Sequence, residues 1–458
     1  MHQRAWPAWM RASEIVDLLR LSVPIAVTRS AWMLMGITDA IVLGRMAPEE
    51  LPYVLNSWLP MGVALGFGMG ILLGVQVLTS ELMGQGRMQD SGRIFRRGFK
   101  FSITLGVVLT LLMYPLSEPM FLALGFEPDV AAAVGSCTRI LSLGLIGFMV
   151  TAVCGMYLEA LRRPIIATVI AYGGVFANIG FNILFVTGAG PLEPMGADGV
   201  AWATTATRSL LVIAFMAAII WLTPAFKSSP DGPADEPKRQ ISVGLGTAIS
   251  NVAEWGGFNF TYVIATWISL QVNTVYGYAT QLMGLAFMAF LGIGTATSVR
   301  VAEHYGRNDA EGVANASRLG VVVTIGTGIV LGVAIFMFRE PFSRLLVRGD
   351  AVMDGVFLAP ALAALLVTVA FAVVFDGLQA TASMALRAQN MIWLPSAIHI
   401  GSFFAVMIPM GYWLGLVQGR GAQGMIEAAF IGVFVAALLQ VTLLEYKTAR
   451  FYQKRAVS

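Results

Sequence analysis

Three carboxylic acids lie deep within apolar stretches of this sequence. Asp39 is in the first stretch, within LSVPIAVTRSAWMLMGITDAIVL, Glu254 is in the seventh and Asp376 is in the tenth. If these stretches cross a membrane, a carboxylate near the middle costs about 2.5 to 3.5 kcal/mol on insertion scales. Each of the three acids is therefore a candidate for a functional role, whereas acids within a turn or two of the end of a stretch can reach water.

Amide and hydroxyl side chains occur in two other apolar stretches. Asn178 and Asn182 are four residues apart, so they share one face of a helix. Thr204, Thr205 and Thr207 lie in the next stretch. Carboxylate, amide and hydroxyl oxygens on converging helices could hold a small hard cation such as Na⁺, or could surround an acid that exchanges H⁺. The alternative is that the amides and hydroxyls only hydrogen-bond one helix to another.

Two arginines also fall inside apolar stretches, at Arg29 and Arg208. A guanidinium group cannot lose its charge in a protein, so each needs an anion, a carbonyl group or a route to the membrane surface. Arg208 is expected at a depth similar to that of Asp39. We therefore expect Arg208 to pair with an acid of the N-terminal half.

The composition predicts a helical membrane protein. Of the 458 residues, 57% are hydrophobic and only 12% are charged, and the mean hydropathy is +0.75. Soluble proteins average about 25% charged residues. Apolar runs of twenty or more residues recur, as a helix that crosses about 30 Å of hydrocarbon requires. Twelve spans are predicted, at about 18–44, 52–79, 99–123, 136–160, 164–187, 199–225, 240–265, 275–302, 317–338, 357–385, 391–416 and 424–446.

The distribution of basic residues predicts the orientation. If the N-terminus is cytoplasmic, 21 of the 29 Lys and Arg residues fall in cytoplasmic segments. Both termini are then cytoplasmic, and the basic residues give no reason to expect nucleic-acid binding. The N-terminal segment lacks the short apolar core and cleavage site of a signal peptide, so we expect the first span to be retained.

The two halves of the sequence repeat each other. Adding 222 maps a series of residues from the first half onto the second, and adding 225 does the same for a later series. The first series is Gly62, Gly70, Glu81, Gly84, Arg96 and Gly98, and the second is Leu161, Arg162, Gly196, Ala197 and Gly199. An even number of spans per copy gives both copies the same orientation, which predicts two six-helix lobes related by a pseudo-two-fold axis around a central cleft. We expect an N-lobe at 1–226, a cytoplasmic linker at 227–240 and a C-lobe at 241–458.

Neither the cysteines nor the histidines indicate catalysis. Cys137 and Cys154 are 17 residues apart on one predicted helix, about 26 Å, which is too far for a disulfide. The three histidines have no metal-ligand spacing, and His399 is the only one expected within the membrane. We therefore do not expect an enzyme or a resident cofactor.

Taken together, these features resemble the MATE (multidrug and toxic compound extrusion) family, close to its NorM-like bacterial branch. The resemblance covers essentially all twelve spans. It rests on Pro24 and Asp39, on Trp58-Leu-Pro60, on Glu81, Gly84 and Gly86, on Asn178 and Asn182, on Gly196-Ala-Asp-Gly199, and on Glu254 and Asp376.

The resemblance implies an antiporter with a V-shaped, two-lobed bundle that exports organic cation drugs and dyes in exchange for Na⁺ or H⁺. It implies an N-lobe cation site of Asp39, Asn178, Asn182 and Thr205, with Na⁺ a possible occupant, and a C-lobe site of Glu254 and Asp376. Some relatives have Asp where this chain has Asn182, so the coupling ion stays open. Arg29 is not expected at its position in the family.

The mechanism expected from these residues is competition for one negative charge. An ion that neutralises Asp39 would release a cationic drug outward, and loss of the ion toward the cytoplasm would let the acid attract another drug. Pro24 and Gly36 are candidate flex points in the first span. We expect a monomer in the bacterial inner membrane, in contact with lipid, that contributes to antibiotic resistance. The alternative is a flippase or exporter of lipid-linked or amphiphilic substrates, whose cavity would be basic rather than acidic.

We expect Asp39→Asn to abolish drug export while the protein still accumulates in the membrane, because the amide keeps the side-chain shape but removes the charge that attracts cations. Dye efflux from cells, with immunodetection of the protein, is the measurement. Full drug resistance in cells that carry the Asp39→Asn variant would contradict a central role for this acid.

Overall fold

The computed structural model describes residues 11–188, 193–347, 351–353 and 355–456, without the side chains of Pro48 and residues 450–456. Residues 1–10 and 457–458, at the termini that are predicted to be cytoplasmic, lie outside the described residues. The long helices are α1 Ala12–Met46, α2 Leu51–Gly84, α3 Ser91–Ala123, α4 Pro128–Leu143, α5 Leu145–Ala160, α6 Pro164–Val186, α7 Gly196–Leu222, α8 Glu236–Ile268, α9 Leu270–Gly306, α10 Ala310–Met337, α12 Leu358–Ala388 and α15 Gly421–Ala456.

Shorter elements complete the described chain. Helix α11 is Arg339–Leu346, and an antiparallel pair of short strands follows, β1 Val352–Met353 and β2 Val356–Phe357. Helices α13 Trp393–Ile400 and α14 Ile408–Gly411 alternate with two π-helical segments, Gly401–Met407 and Tyr412–Val417. Single 3₁₀ turns, Pro48–Glu50 and Met88–Asp90, precede α2 and α3.

The helices confirm the prediction of an all-helical membrane protein. Within the described part of the chain, ten helical stretches are long and apolar enough to cross a membrane, and α4 with α5 forms an eleventh that is bent by 43°. The remaining predicted span, the seventh at about 240–265, corresponds to α8, whose 33 residues extend about 50 Å at 1.5 Å per residue. Asn251, Glu254 and Asn259 lower the hydropathy of α8, because each places a polar group in the span.

The chain divides into two compact units, and the division falls inside two helices. One unit comprises residues 27–248, and the other comprises residues 249–456 together with the start of α1 up to Ala26. Helix α1 thus begins in one unit and ends in the other, and so does α8. The cytoplasmic linker expected at 227–240 stays a prediction.

Charged side chains fix the first turn of each of these helices within its unit. Glu14 of α1 accepts hydrogen bonds from Arg300 of α9. Glu236 of α8 accepts hydrogen bonds from Arg93 and Arg97 of α3, with Nη2–Oε distances of 2.8 and 3.1 Å. Burial raises the pKa of Glu236, but the hydrogen bonds and charges of these two arginines outweigh it, so the pKa is lowered overall.

Glycines allow the start of α8 to pack against α2 at backbone distance. A Cβ atom on Gly244 would lie 1.9 Å from the carbonyl oxygen of Ile71, and one on Gly74 would lie 2.0 Å from that of Gln240. Small residues at such contacts let helices in membranes approach closely, where dispersion forces are strongest. The remainder of α8 belongs to the other unit, whose core includes Tyr276 and Phe290.

We expect Gly244→Ala to lower the stability of the protein by about 1–3 kcal/mol, because the added methyl group overlaps backbone atoms that cannot rotate away. The thermal unfolding midpoint in detergent is the measurement. Gly326→Ala is the matched control, since no neighbouring atom lies within 4 Å of a Cβ atom there. Equal midpoints for the two variants would contradict the packing described for α8.

Candidate functional site

Asp39 lies at a polar junction of three helices in the unit 27–248. Its Oδ1 atom accepts a hydrogen bond of 2.6 Å from Nδ2 of Asn182 on α6. Its Oδ2 atom accepts one of 3.1 Å from the hydroxyl of Thr204 on α7. The residue is 3% exposed. The structure therefore brings Asp39 together with the predicted amides of α6.

The two asparagines of this junction have unused hydrogen-bonding groups. Nδ2 of Asn182 also donates to the carbonyl oxygen of Asn178, at 3.0 Å, and Oδ1 of Asn178 accepts from Thr38, at 3.0 Å. Among the described residues, Oδ1 of Asn182 and Nδ2 of Asn178 have no hydrogen-bond partner. A buried polar atom without a partner is costly. A carboxylate beside an unpaired amide oxygen is chemically suited to a small cation.

Thr205, the predicted threonine of this site, hydrogen-bonds elsewhere. Its hydroxyl donates to the carbonyl oxygen of Ile140, at 3.1 Å, just before the bend between α4 and α5. At the bend the backbone N–H of Gly144 donates to Leu141 instead of Ile140, so the carbonyl of Ile140 needs another donor. Thr205 supplies that donor, while Thr204, its neighbour in the sequence, contacts Asp39.

Arg208 lies one turn beyond Thr204 on α7. It is buried, with its guanidinium carbon 5.8 Å from the ring centre of Trp58 and 5.4 Å from that of Phe148. The charges of Arg208 and Asp39 attract each other. Within the described residues, however, no salt bridge joins them, so the predicted pairing takes the form of attraction over a distance.

Arg29 has an acidic partner that the sequence analysis missed. Nη2 of Arg29 lies 3.1 Å from Oε1 of Glu159 on α5, and Nε2 of Gln76 donates to the other carboxylate oxygen at 3.3 Å. Glu159 is 1% exposed. It precedes the last residue of α5, where an acid was expected to reach water. The signal that could have identified it was Arg29 itself, which needs an anion at its depth.

The other two predicted acids lie together in the second unit. Nε2 of Gln379 donates to Oε1 of Glu254 at 2.9 Å and to Oδ1 of Asp376 at 3.3 Å, so one amide bridges both carboxylates. Arg387 attracts Glu254 electrostatically and donates to the hydroxyl of Ser250 at 2.5 Å. The predicted C-lobe pair is thus close in space, with Gln379 between its members.

A cavity of about 240 Å³ opens onto this acid pair. Besides the two acids, its walls contain aromatic rings, two methionines and three smaller residues. The aromatic residues are Trp255, Phe258, Tyr262 and Phe287, the methionines are Met283 and Met288, and the smaller residues are Asn259, Thr280 and Gly284. Two carboxylates among aromatic faces favour a cationic organic molecule.

The two predicted flex points lie within a continuous helix. Pro24 and Gly36 are both inside α1, on either side of Arg29. A Cβ atom on Gly36 would have no neighbour within 4 Å. Hinge motion at these two positions stays a prediction.

A comparison with known families decides the class of protein. The MatE family model matches residues 24–184 and 247–413, which is most of both halves. This chain belongs to the MatE family. The matched segments contain Asp39, both asparagines of α6, Glu254 and Asp376, so the resemblance seen in the sequence is confirmed.

Relatives of this MatE chain are bacterial multidrug resistance proteins. A probable multidrug resistance protein NorM of Caulobacter vibrioides is 30% identical over 97% of this chain and 94% of its own length. The multidrug resistance protein PmpM of Pseudomonas aeruginosa is 26% identical over 96% of this chain and 93% of its own. The MatE chain therefore aligns with these proteins from end to end, within the multidrug efflux transporter family.

Solved structures show that the fold is that of MATE transporters. A multidrug resistance MATE family transporter of the MOP superfamily, in an outward-facing conformation, superposes with a TM-score of 0.86 at 19% identity and covers 95% of this chain and 96% of its own. A MOP superfamily transporter from Pyrococcus furiosus, whose reversed pocket polarity suggests a different function, superposes with a TM-score of 0.86 at 18% identity, covering 96% of both chains. At these identities the likeness shows the fold alone.

We expect Glu159→Gln to destabilise this MatE protein by about 3 kcal/mol, because Arg29 would remain buried without its counter-charge. The thermal unfolding midpoint in detergent is the measurement. The double variant R29M/E159M should recover most of the loss, since it removes both charges.

Glu445→Gln is the control for this prediction. It breaks the Arg318–Glu445 pair, whose side chains are 44% and 46% exposed, and it should change stability by less than about 1 kcal/mol. A Glu159→Gln protein as stable as this control would show that the Arg29–Glu159 pair adds nothing to the fold.

Proposed function

We propose that this protein is a secondary active antiporter that exports organic cations in exchange for H⁺ or Na⁺ by alternating access. The single observation that carries the proposal is the cavity lined by Glu254, Asp376 and four aromatic rings. Membership of a multidrug efflux family supports the substrate class. No cofactor is needed, because the coupling ion supplies the free energy.

The cavity provides two kinds of attraction for an organic cation. Aromatic faces attract a positive charge that has lost its water, at up to about 2 kcal/mol per contact. The carboxylates of Glu254 and Asp376 supply negative charge at the same place. Met283 and Met288 are flexible and polarisable, so they can adapt to substrates of different shape. These properties suit a broad range of drugs and dyes.

The Asp39 junction is the proposed site of the coupling ion. Its carboxylate, the unpaired Oδ1 atom of Asn182 and the hydroxyl of Thr204 offer oxygen ligands to Na⁺, while the carboxylate alone could take H⁺. Asn178 supports this arrangement by accepting from Thr38 and by holding the amide of Asn182. Thr205 is not among the proposed ligands, because its hydroxyl donates to the carbonyl oxygen of Ile140 next to the bend at Gly144.

Exchange requires that binding of the ion at Asp39 and binding of the organic cation near Glu254 and Asp376 affect each other. Occupation of Asp39 and occupation of the Glu254–Asp376 cavity must favour different conformations of the protein, because a ligand shifts a conformational equilibrium only through unequal affinity for its states. The sequence analysis placed both ligands at Asp39. With an acidic cavity at Glu254, we place the organic cation there and keep Asp39 for the ion.

The proposed setting is the bacterial inner membrane. The excess of Lys and Arg in the predicted cytoplasmic segments supports cytoplasmic termini. Similarity to bacterial NorM and PmpM supports the inner membrane and a part in antibiotic resistance. Two complete six-span repeats in one chain are consistent with a functional monomer in contact with lipid.

Transport of a cationic dye into inverted membrane vesicles, with Na⁺ and pH gradients imposed separately, tests the proposal. Glu254→Gln and Asp376→Asn should each lower dye affinity at least about tenfold, since losing about 1.4 kcal/mol of binding free energy is a factor of ten. Glu445→Gln is the control, because it removes an exposed acid from the same unit.

The outcomes separate the possible functions. Dye uptake driven by one of the two gradients and sensitive to both acids supports antiport. Dye uptake that neither gradient drives, or that is as fast in both acid variants as in the control, contradicts it. Movement of a fluorescent lipid instead of the dye would favour the flippase alternative.

A further inference from the structure

Arg208 occupies a site formed for its guanidinium group within the unit 27–248. The residue is buried, and its guanidinium lies over the rings of Trp58 and Phe148. A Cβ atom on Gly144 would lie 3.1 Å from Cδ and Nη1 of Arg208, and one on Gly147 would lie 3.3 Å from its Cβ atom. The bend between α4 and α5, together with these glycines, leaves the space that the arginine fills.

The charge of Arg208 is not neutralised by a direct contact. Within the described part of the chain, its Nη1 atom has no hydrogen-bond partner. Glu159 is already paired with Arg29. The remaining acid that Arg208 attracts is Asp39, to which it is connected through Thr204, one turn earlier on α7.

The two acidic sites differ in the basic groups beside them. In the first unit Asp39 has Arg208 nearby without a direct ion pair, while Arg29 is paired with Glu159. In the second unit the acid pair Glu254 and Asp376 lies near Arg387 and shares the amide of Gln379.

We propose that Arg208 is a specificity-determining residue that reserves Asp39 for a small coupling cation and excludes organic cations from it. This inference rests on the proposed antiport function. The inference accounts for the proposed difference between the two acidic sites. Organic cations bind near Glu254 and Asp376, and only the small coupling ion binds at Asp39.

The discrimination follows from the distances over which charges act. H⁺ or Na⁺ binds directly on the carboxylate oxygens of Asp39, where its attraction to the acid exceeds its repulsion from Arg208. An organic cation spreads its charge and holds it farther from the carboxylate, while its repulsion from Arg208 stays similar. Because Coulomb energy falls with distance, the arginine penalises the larger cation more.

Gain of binding is the test. In the double variant E254Q/D376N the organic-cation cavity has lost its acids, so binding of tetraphenylphosphonium to the purified protein reports on any second site. We expect no saturable binding in that background. Adding Arg208→Gln should create a saturable site, with affinity at least about tenfold above the background, because a repelling charge is removed.

Three further variants complete the design. Arg208→Met in the same background should also create the site, and it keeps the test decisive if the glutamine form is unstable. Arg208→Lys keeps the charge and should not create it. Arg139→Gln is the matched control, since it removes an arginine of the same unit that pairs with the partly exposed Glu118.

The new site must depend on Asp39. Binding that appears with Arg208→Gln or Arg208→Met, and disappears when Asp39→Asn is added, supports the inference. The inference is wrong if neither folded variant gains binding, or if the lysine form gains it equally. Failure of the proposed function gives a different result. The unmodified protein would then not bind tetraphenylphosphonium. The gain of Asp39-dependent binding in the Arg208 variants can be measured in either case.

Discussion

Compensation of charge inside apolar helices is the constraint on which this structure depends. The four acids Asp39, Glu159, Glu254 and Asp376 are stabilised in three ways. Asp39 accepts hydrogen bonds from neutral side chains on two neighbouring helices, Glu159 forms an ion pair, and Glu254 and Asp376 share one amide donor from Gln379. A directly paired acid is held ionised by its partner, whereas a buried acid held by neutral donors can gain or lose H⁺ or another cation. The difference separates a structural acid from the three proposed for transport.

Close helix packing is what brings these groups together. Asp39 meets its partners only because α1, α6 and α7 converge, and Arg208 fits only because α4 and α5 bend at a glycine. Gly144 and Gly147 leave room for its side chain, as Gly74 and Gly244 do for backbone contact between α2 and α8. The absence of a side chain at these glycines thus makes room for the Arg208 side chain in one place and for a neighbouring helix backbone in the other.

Much of the fold could be predicted from the sequence, and the details of the site less so. Apolar run length identified the helices, and the four-residue spacing of Asn178 and Asn182 identified their shared face. Thr204 rather than Thr205 contacts Asp39 because one residue rotates a helix face by about 100°, and that rotation is set by packing against the neighbouring helices α4, α5 and α6. Glu159 was missed because its partners Arg29 and Gln76 are distant in sequence, although Arg29 indicated that a buried anion was needed. The bend at Gly144 contains no proline, so nothing in the sequence indicated that the helix would bend there.

The exchange of α1 and α8 between units has a consequence for how the chain is made. Glu14 and its partner Arg300 are 286 residues apart, and the whole unit 27–248 lies between them in the chain. Their ion pair can therefore form only after that unit has been translated. The unit 27–248 in turn is complete only once the first turns of α8 have been translated. The unit 27–248 is continuous in the chain, whereas the other unit combines the start of α1 with residues that follow Ala248, so only that other unit depends on segments made before and after its neighbour.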